Sequence, residues 1–374
     1  MRSPRGRVRG PVLGMDVSKA RDPDGIGTWQ REVWRALEIL LENPSPPSGD
    51  PTPELIPFDD SEAGPAPGQV DIFLSSAWSV PPFHDGSSIF VVHDLTFLSH
   101  PTFHTRQNRL RCTEGLIRAH LTGRTRFVAV SRATARELER FLGPIDVEVV
   151  ANGVDPRWRT LPAQEVAERL RSRLAELAPG LVSASPATSE SGVPEMVLFV
   201  GSFEPRKNLP RLHSAHRRLP GNLRRRHPLV VAGGQGWHSE EVLRHMEEDP
   251  HAWVLGPMER DLLLDLYNAA TLFVYPSLAE GFGLPVAEAL ACGTPVLTSS
   301  TSSLPEVAGD AARLVDPEDL DALSSALESL LRDPEERRRL ASLGPRRARR
   351  FTWRAAADRL LQLALSSLSR PSPA

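Results

Sequence analysis

The passage AEGFGLPVAEALACGTPVLTS, residues 279–299, runs from a strand end through a glycine loop into a short helix and out toward another strand. Tyr275–Pro276 closes the strand before it, and Gly281 and Gly283 let backbone amides approach a ligand with no Cβ in the way. Pro285 suits the first helical turn, and Gly293 suits the C-terminal stop. The free N–H groups and positive dipole end of that helix then face the loop, which favours an anion such as a diphosphate. Val286, Ala287, Ala289, Leu290 and Ala291 make the helix apolar nearly all round, so burial is predicted. Glu280 precedes the loop and Glu288 lies a turn inside the helix, an E-x7-E spacing. A lone helical Glu is ordinarily solvated, but a carboxylate among these neighbours needs partners, and vicinal hydroxyls of a sugar are suited to it.

Working outward, short apolar and β-branched runs alternate with helical patterns, the mark of βα units around parallel sheets buried on both faces. Predicted strands are Val70–Ser75, Ile89–His93, Phe127–Ser131 and Val147–Ala151, then Met196–Gly201, Leu229–Gly233, Ala252–Leu255, Leu272–Pro276 and Thr294–Thr298. Helical spacing covers Thr134–Phe141, Gln164–Leu177, Arg260–Ala270, Pro285–Cys292 and Leu320–Arg332. Residues 43–69, rich in Pro, Ser, Gly and Asp, read as an irregular insertion, and 178–194 has linker composition. At 374 residues the chain is too long for one core of ordinary size, and two domains are predicted. They are residues 1–177 and 195–350 around the linker, with 351–374 a helix crossing back to the first.

Composition narrows the classes. A 40% hydrophobic, 24% charged chain of formal net charge −3 fits a soluble enzyme better than a nucleic-acid binder, although Arg224–Arg226, Arg337–Arg339 and the run at 346–350 stand out. These clusters are the expected contacts for an anionic membrane surface, since nothing aromatic interleaves them as RNA or DNA binding would require. Cys112 and Cys292 form neither a disulfide framework nor a metal spacing. The basic start MRSPRGRVRG leads into no apolar run of export length, and a cytoplasmic setting is expected. Of 44 basic residues only Lys19 and Lys207 are lysine, so a surviving lysine marks a place where a compact ammonium is required.

The passage at 279–299 resembles the E-x7-E region of family 4 of the retaining glycosyltransferases, also called group 1, and the similarity continues through SSLPEVAGDAARLVDPEDLDAL to RRRLASLGPRRARRFTW. A second element agrees: VLFVGSFEPRKNLPRLHSAH, residues 197–216, resembles the family's G-x-x-x-x-R-K-N pattern, with Arg206 and Lys207 at a strand-to-helix turn. The resemblance implies a GT-B fold, α/β with two Rossmann-like domains whose parallel sheets face a central cleft. It implies transfer of a hexose from a nucleotide diphosphate sugar to a glycan or lipid-linked acceptor, with retention. Carried over, Glu280 contacts donor-sugar hydroxyls together with Gly281 and Phe282, and Glu288 contacts the ribose. Arg206, Lys207, Gly283 and Leu284 meet the diphosphate.

In the first half, DPDGIGTWQREVWRAL places Gly25 and Gly27 where relatives contact donor phosphate, though Thr28–Trp29 departs from the family's Arg-aromatic pair. IFVVHDLTFLSHP resembles the HD motif, whose histidine, here His93, lies beside the transferred sugar. Ser131 and Asn152 either line the cleft or cap local structure. His93, Lys207 and Glu280 are thus the expected catalytic set. With no D-x-D motif in a suitable loop, no metal or other cofactor is expected, and cations carry the leaving diphosphate. The HDLTF passage resembles that of mannosyltransferases that use GDP-mannose, with UDP-glucose or another nucleotide sugar as the alternative. An epimerase, a phosphorylase-like enzyme, and a non-catalytic or nucleic-acid-binding protein are remoter readings.

Overall fold

The computed structural model describes residues 10–22, 24–42, 52–59, 65–66, 68–76, 87–184, 193–234, 236 and 240–368. The basic start, much of the 43–69 insertion and residues 185–192 of the expected linker lie outside the described residues. The chain divides into two compact units: Met1–Gly153 with Thr352–Ala374, and Val154–Phe351.

The first unit holds six parallel strands, β1 (Val12–Asp16), β2 (Glu54–Phe58), β3 (Ile72–Ser75), β4 (Ser87–Val92), β5 (Thr125–Ala129) and β6 (Val147–Val149), in the order β2-β1-β3-β4-β5-β6. The second holds β7 (Val197–Val200), β8 (Leu229–Ala232), β9 (Ala252–Gly256), β10 (Leu272–Tyr275), β11 (Val296–Ser299) and β12 (Arg313–Val315), in the order β12-β11-β10-β7-β8-β9, again all parallel. The central strands VLFV, LVVA, LFVY and VLTS are buried throughout, as expected of strands covered on both faces. In each sheet the strand order reverses once, between β1 and β3 and between β7 and β10. Loops leaving the carboxyl ends of such a strand pair splay apart and open the crevice where open α/β sheets take ligands.

The parallel sheets agree with the predicted α/β architecture, and the helix Leu320–Arg332 has the bounds read from sequence. Three organisational expectations need correction. Residues 154–177, assigned to the first domain, belong to the second unit, because the helix Ala163–Leu177 packs on Arg260–Ala269 and Arg169 Nε bonds both carboxylate oxygens of Asp265 at 3.2 and 3.0 Å. The 178–194 segment is therefore internal to the second unit, and Pro179–Ala184 within it is helical. The 43–69 segment is likewise not wholly irregular, since β2 forms there as an edge strand beside β1.

The last helix, Trp353–Leu368, belongs to the first unit, where it packs on the helix Gly25–Glu42 through Ala356, Ala357, Leu360, Leu363 and Ala364. Arg126 Nη1 donates to Ser366 Oγ at 3.0 Å, and Arg359 Nη2 to Glu148 Oε2 at 2.9 Å. The chain leaves the first unit at Gly153 and returns at Thr352. A Cβ on Gly153 would stand 2.1 Å from the backbone nitrogen of Trp353, so only glycine fits there.

Candidate active site

In the second unit the loop after β7 and the loop after β10 leave neighbouring strands at the reversal point and are tied to each other by hydrogen bonds. After β7 the chain makes a single 3-10 turn, Pro205–Lys207, then enters the helix Leu209–Arg217 through Asn208, which is left-handed at φ 60°. Asparagine tolerates that conformation. Here its buried amide also donates to the carbonyls of Pro276 (3.0 Å) and Pro317 (2.8 Å), tying the turn to the end of β10. The backbone of Arg206 adds to this stitch by accepting from Leu278 N at 2.7 Å and Ser277 Oγ at 2.9 Å. The asparagine of the R-K-N pattern thus aims the two cations before it.

Those cations meet Glu280. Lys207 Nζ lies 2.6 Å from Glu280 Oε1, and Arg206 Nη1 lies 2.8 Å from Glu280 Oε2, while Arg206 Nε pairs with Glu204 Oε2 at 2.7 Å. Glu280 Oε1 also accepts from Tyr275 Oη at 2.9 Å and Ser277 Oγ at 2.8 Å. Burial alone would raise the Glu280 carboxyl, but Arg206 and Lys207 outweigh it and hold the group down to about 2. Lys207 is pulled below the ordinary lysine range, chiefly by burial and then by Arg206 beside it, with Glu280 opposing. The two cations expected at a diphosphate also have protein partners, Glu280 and Glu204, so two positive and two negative side chains form a cluster of zero formal charge. What remains for a ligand is directional. Among the described residues, one of the three Lys207 N–H groups has no partner and Glu280 Oε2 accepts from Arg206 alone.

The glycine loop then turns into the buried helix Leu284–Ala291. Gly283 is left-handed at φ 101°, and a Cβ there would stand 2.5 Å from Leu304 Cδ2. Serines that sequence reading passed over shape this loop. Ser303 Oγ donates to the carbonyls of Glu280 (2.9 Å) and Phe282 (2.8 Å), and Ser302 Oγ accepts from Glu280 N at 3.1 Å. The Phe282 ring packs edge-on against Phe351 at 5.3 Å, so its side chain serves packing. The carboxylate of Glu288, half-buried, has one bond among the described residues, from Tyr267 Oη at 3.1 Å. Burial raises its carboxyl to about 7, against the lowering effects of Tyr267 and Arg260.

The first unit brings its candidates to strand ends with less polar support. His93 follows β4 and packs edge-on against Trp29, with ring centroids 5.4 Å apart, and its Nε2 is buried without a hydrogen-bond partner among the described residues. Burial lowers its pKa to about 4, opposed by Asp94, so the imidazole is neutral near pH 7. After β1, Gly27 N bonds Asp24 Oδ1 at 2.7 Å, and a Cβ on Gly27 would stand 2.3 Å from the carbonyl oxygen of Asp22 and 2.4 Å from that of Lys19. A Cβ on Gly25 would meet nothing within 4 Å. Gly27 therefore has a packing reason of its own, whereas Gly25 has none. Ser131 caps the helix Arg132–Leu142, accepting from Thr134 N at 3.0 Å, and the buried Oδ1 of Asn152 lacks a partner among the described residues.

Many of the conspicuous arginines are committed locally. Arg224 pairs with Asp249, Arg226 Nε with Glu195 at 2.6 Å, Arg338 Nη1 with Glu335 at 2.9 Å and Arg339 Nε with Glu336 at 2.7 Å. Arg337 and Arg347 bind backbone carbonyls at the ends of neighbouring helices.

Two parallel six-stranded sheets of this topology, one with cations and a carboxylate converging at its reversal point, define the GT-B class of α/β proteins. The chain belongs to the family described as Glycosyl transferases group 1, whose pattern matches residues 185–347. D-inositol 3-phosphate glycosyltransferase of Xylanimonas cellulosilytica is 32% identical over 317 residues, 81% of this chain and 70% of that protein. O-antigen chain mannosyltransferase B of Escherichia coli is 42% identical over 159 residues, a match spanning only 42% of either chain. Among solved structures, sucrose-phosphate synthase from Thermosynechococcus elongatus superposes with a TM-score of 0.71 at 19% identity, covering 96% of this chain and 100% of that one.

Proposed function

We propose that this chain transfers a hexose, mannose from GDP-mannose, to a glycan or lipid-linked acceptor, with retention and without a metal ion. The observation that carries the reading is the buried cluster of Lys207, Arg206 and Glu280 at the reversal point of the second sheet. In this reading Glu280 Oε2 accepts a hydroxyl of the donor sugar. The open N–H of Lys207 and the amide end of the helix Leu284–Ala291 face the diphosphate, supplying the positive character that offsets charge as the nucleotide departs. Glu288 Oε1, which has no hydrogen-bond partner among the described residues, accepts from the ribose. By family resemblance the neutral His93 contacts the sugar, and the Gly25–Gly27 loop contacts phosphate. Mannose is supported by the 42% match to a mannosyltransferase. The longer match to an inositol phosphate glycosyltransferase favours a second reading, in which another nucleotide sugar such as UDP-glucose is the donor.

Thermal-shift titration against GDP-, UDP-, ADP- and dTDP-sugars tests the donor, because a ligand at a hundred times its Kd adds about 2.7 kcal/mol. GDP-mannose should give the largest shift, the purified chain should release GDP from it, and NMR of the product should show the donor's anomeric configuration, with EDTA lacking effect. Normal turnover in a Lys207→Ala, Glu280→Ala double variant defeats the assignment.

Peripheral contact with an anionic membrane at the cytoplasmic face is part of the same proposal, and the helix Arg106–Leu121 supports it better than the paired arginines. Its inner face buries Cys112, Leu116 and Ala119, yet Leu110, Ile117 and Leu121 stand 61%, 47% and 77% exposed on the outer face. Exposed Arg106, Arg109 and Arg111 border them, while Arg118 pairs with Glu114 at 2.6 Å, a pattern suited to lipid phosphates over acyl chains. Among the described residues no helix is long and apolar enough to cross a membrane. Co-sedimentation with phosphatidylglycerol vesicles, lost in a Leu110→Ser, Ile117→Ser, Leu121→Ser variant, is expected; equal pelleting with pure phosphatidylcholine would count against it.

A further inference from the structure

The chain contains two tyrosines against thirteen phenylalanines. Both tyrosine rings are completely buried, where phenylalanine packs as well and brings no polar atom to satisfy. Each hydroxyl bonds one glutamate of the E-x7-E pair. Tyr275 Oη donates to Glu280 Oε1 at 2.9 Å, and Tyr267 Oη donates to Glu288 Oε2 at 3.1 Å. Tyr275 Oη also accepts from Lys207 Nζ at 2.6 Å, closing a triangle with the Lys207–Glu280 pair. Phe273 lies between the two rings, with centroids 5.4 Å from Tyr267 and 5.8 Å from Tyr275, while Trp158 backs Tyr267 at 5.5 Å and Phe199 backs Tyr275 at 5.7 Å. The two hydroxyls thus stand on a continuous aromatic support carried by β10 and the helix Arg260–Ala269 before it.

We infer that Tyr275 and Tyr267 are positioning residues, the first fixing the ammonium and carboxylate at the sugar end of the site and the second fixing the carboxylate at the nucleotide end. The inference rests on the donor-sugar reading above and adds a division of labour to it. Burial, reinforced by the neighbouring glutamate, pushes both phenols well above their ordinary range, so each remains a hydrogen-bond donor throughout the working pH. The two hydroxyls carry different shares. Glu280 keeps Lys207, Ser277 and Arg206 if Tyr275 is lost, whereas Tyr267 makes the one hydrogen bond to Glu288 among the described residues.

Tyrosine-to-phenylalanine variants leave the aromatic support intact and remove one oxygen each. With the nucleotide sugar that the donor screen selects, Tyr275→Phe should lower kcat with little change in donor KM. Tyr267→Phe should raise donor KM with little change in kcat, each roughly tenfold to a hundredfold for loss of a bond to a charged group. Tyr267→Phe added to Glu288→Gln should raise KM no further than Glu288→Gln alone, because the phenol acts through that carboxylate. The pH at which donor KM inflects should also move upward in Tyr267→Phe, since a bond favouring the ionised form is gone. Unchanged kcat in Tyr275→Phe, or unchanged KM and pH inflection in Tyr267→Phe, overturns the inference while leaving the proposed function intact. A wild type that turns over no nucleotide sugar overturns the proposed function instead. The positioning by Tyr267 is then still decided by melting curves without donor: Tyr267→Phe should lose more stability than wild type between pH 6 and 8.5, and Glu288→Gln should remove the dependence. Parallel curves for all three proteins would refute it.

Discussion

The carboxyl ends of the two sheets are finished in different ways. In the second unit, β7 and β10 deliver a set of charges in which Lys207, Arg206, Glu204 and Glu280 pair with one another. In the first, β1 and β4 deliver glycines and a neutral histidine whose Nε2 is buried without a hydrogen-bond partner among the described residues. The contrast is between paying the cost of organising a polar site during folding and leaving polar atoms short of a bond that an incoming hydroxyl can supply. Preorganised dipoles and charges are effective in catalysis because they need no rearrangement as the reaction proceeds.

The largest effect expected from breaking this contrast is in the charged cluster. Lys207→Ala strips a buried carboxylate of one of its two cations, so turnover should fall at least about a hundredfold and stability by roughly 3 to 5 kcal/mol, read by steady-state kinetics and denaturant unfolding. A loss of less than about 1 kcal/mol would mean that the cluster is solvated in solution. Next comes the glycine pair. Gly27→Ala forces a Cβ against two backbone carbonyls and should cost about 1 to 3 kcal/mol, whereas Gly25→Ala should stay within roughly 0.5 kcal/mol. A rise in donor KM in the stable Gly25→Ala variant would separate ligand contact from packing.

His93→Phe should alter stability by no more than about 1 kcal/mol, since no hydrogen bond from Nε2 is given up, yet should reduce turnover. A loss of stability with unchanged turnover would make His93 a core residue. The smallest effect concerns Glu288. Its carboxyl is raised to about 7, so the ionised form that accepts ribose hydroxyls grows as pH rises through 7, and donor KM should fall across that interval. Folding stability moves the opposite way: the contribution of this group is fully present below the ordinary carboxylate range and is lost as pH rises through about 7. Glu288→Gln should flatten both profiles, and a KM that rises with pH would reverse the assigned role.

Much of this was legible in the sequence where local chemistry and long-range placement agree. The buried helix behind Gly283, the stop at Gly293 and the strand-end position of Arg206 and Lys207 follow from turn chemistry and apolar runs. Three strands were not. β1 follows directly on the basic start and was read only against export signals. β2 contains Pro57, which is tolerated because the strand lies at the sheet edge, and β12 is a three-residue edge strand. The unit boundary escaped because it coincides with no change in composition. It falls at Gly153–Val154, just past the predicted strand Val147–Ala151, while the Ser- and Pro-rich segment downstream is an insertion inside one unit. The direction of the cations was also hidden. Spacing places Arg206 and Lys207 near Glu280, but only the stitching by Asn208 and Ser277 turns them onto the carboxylate. The scarcity of tyrosine was visible in the composition and would have directed attention to both hydroxyls.

The interrupted path of the first unit bears on how the chain is made. Its helix Trp353–Leu368 is translated after the whole of the second unit, and the helix Gly25–Glu42 has no apolar cover from that partner until then. On the ribosome the usual order, in which the N-terminal body matures first, is therefore inverted. The upstream body is complete only once its last helix has been made, and release of the nascent chain before then leaves the apolar face of Gly25–Glu42 without that cover.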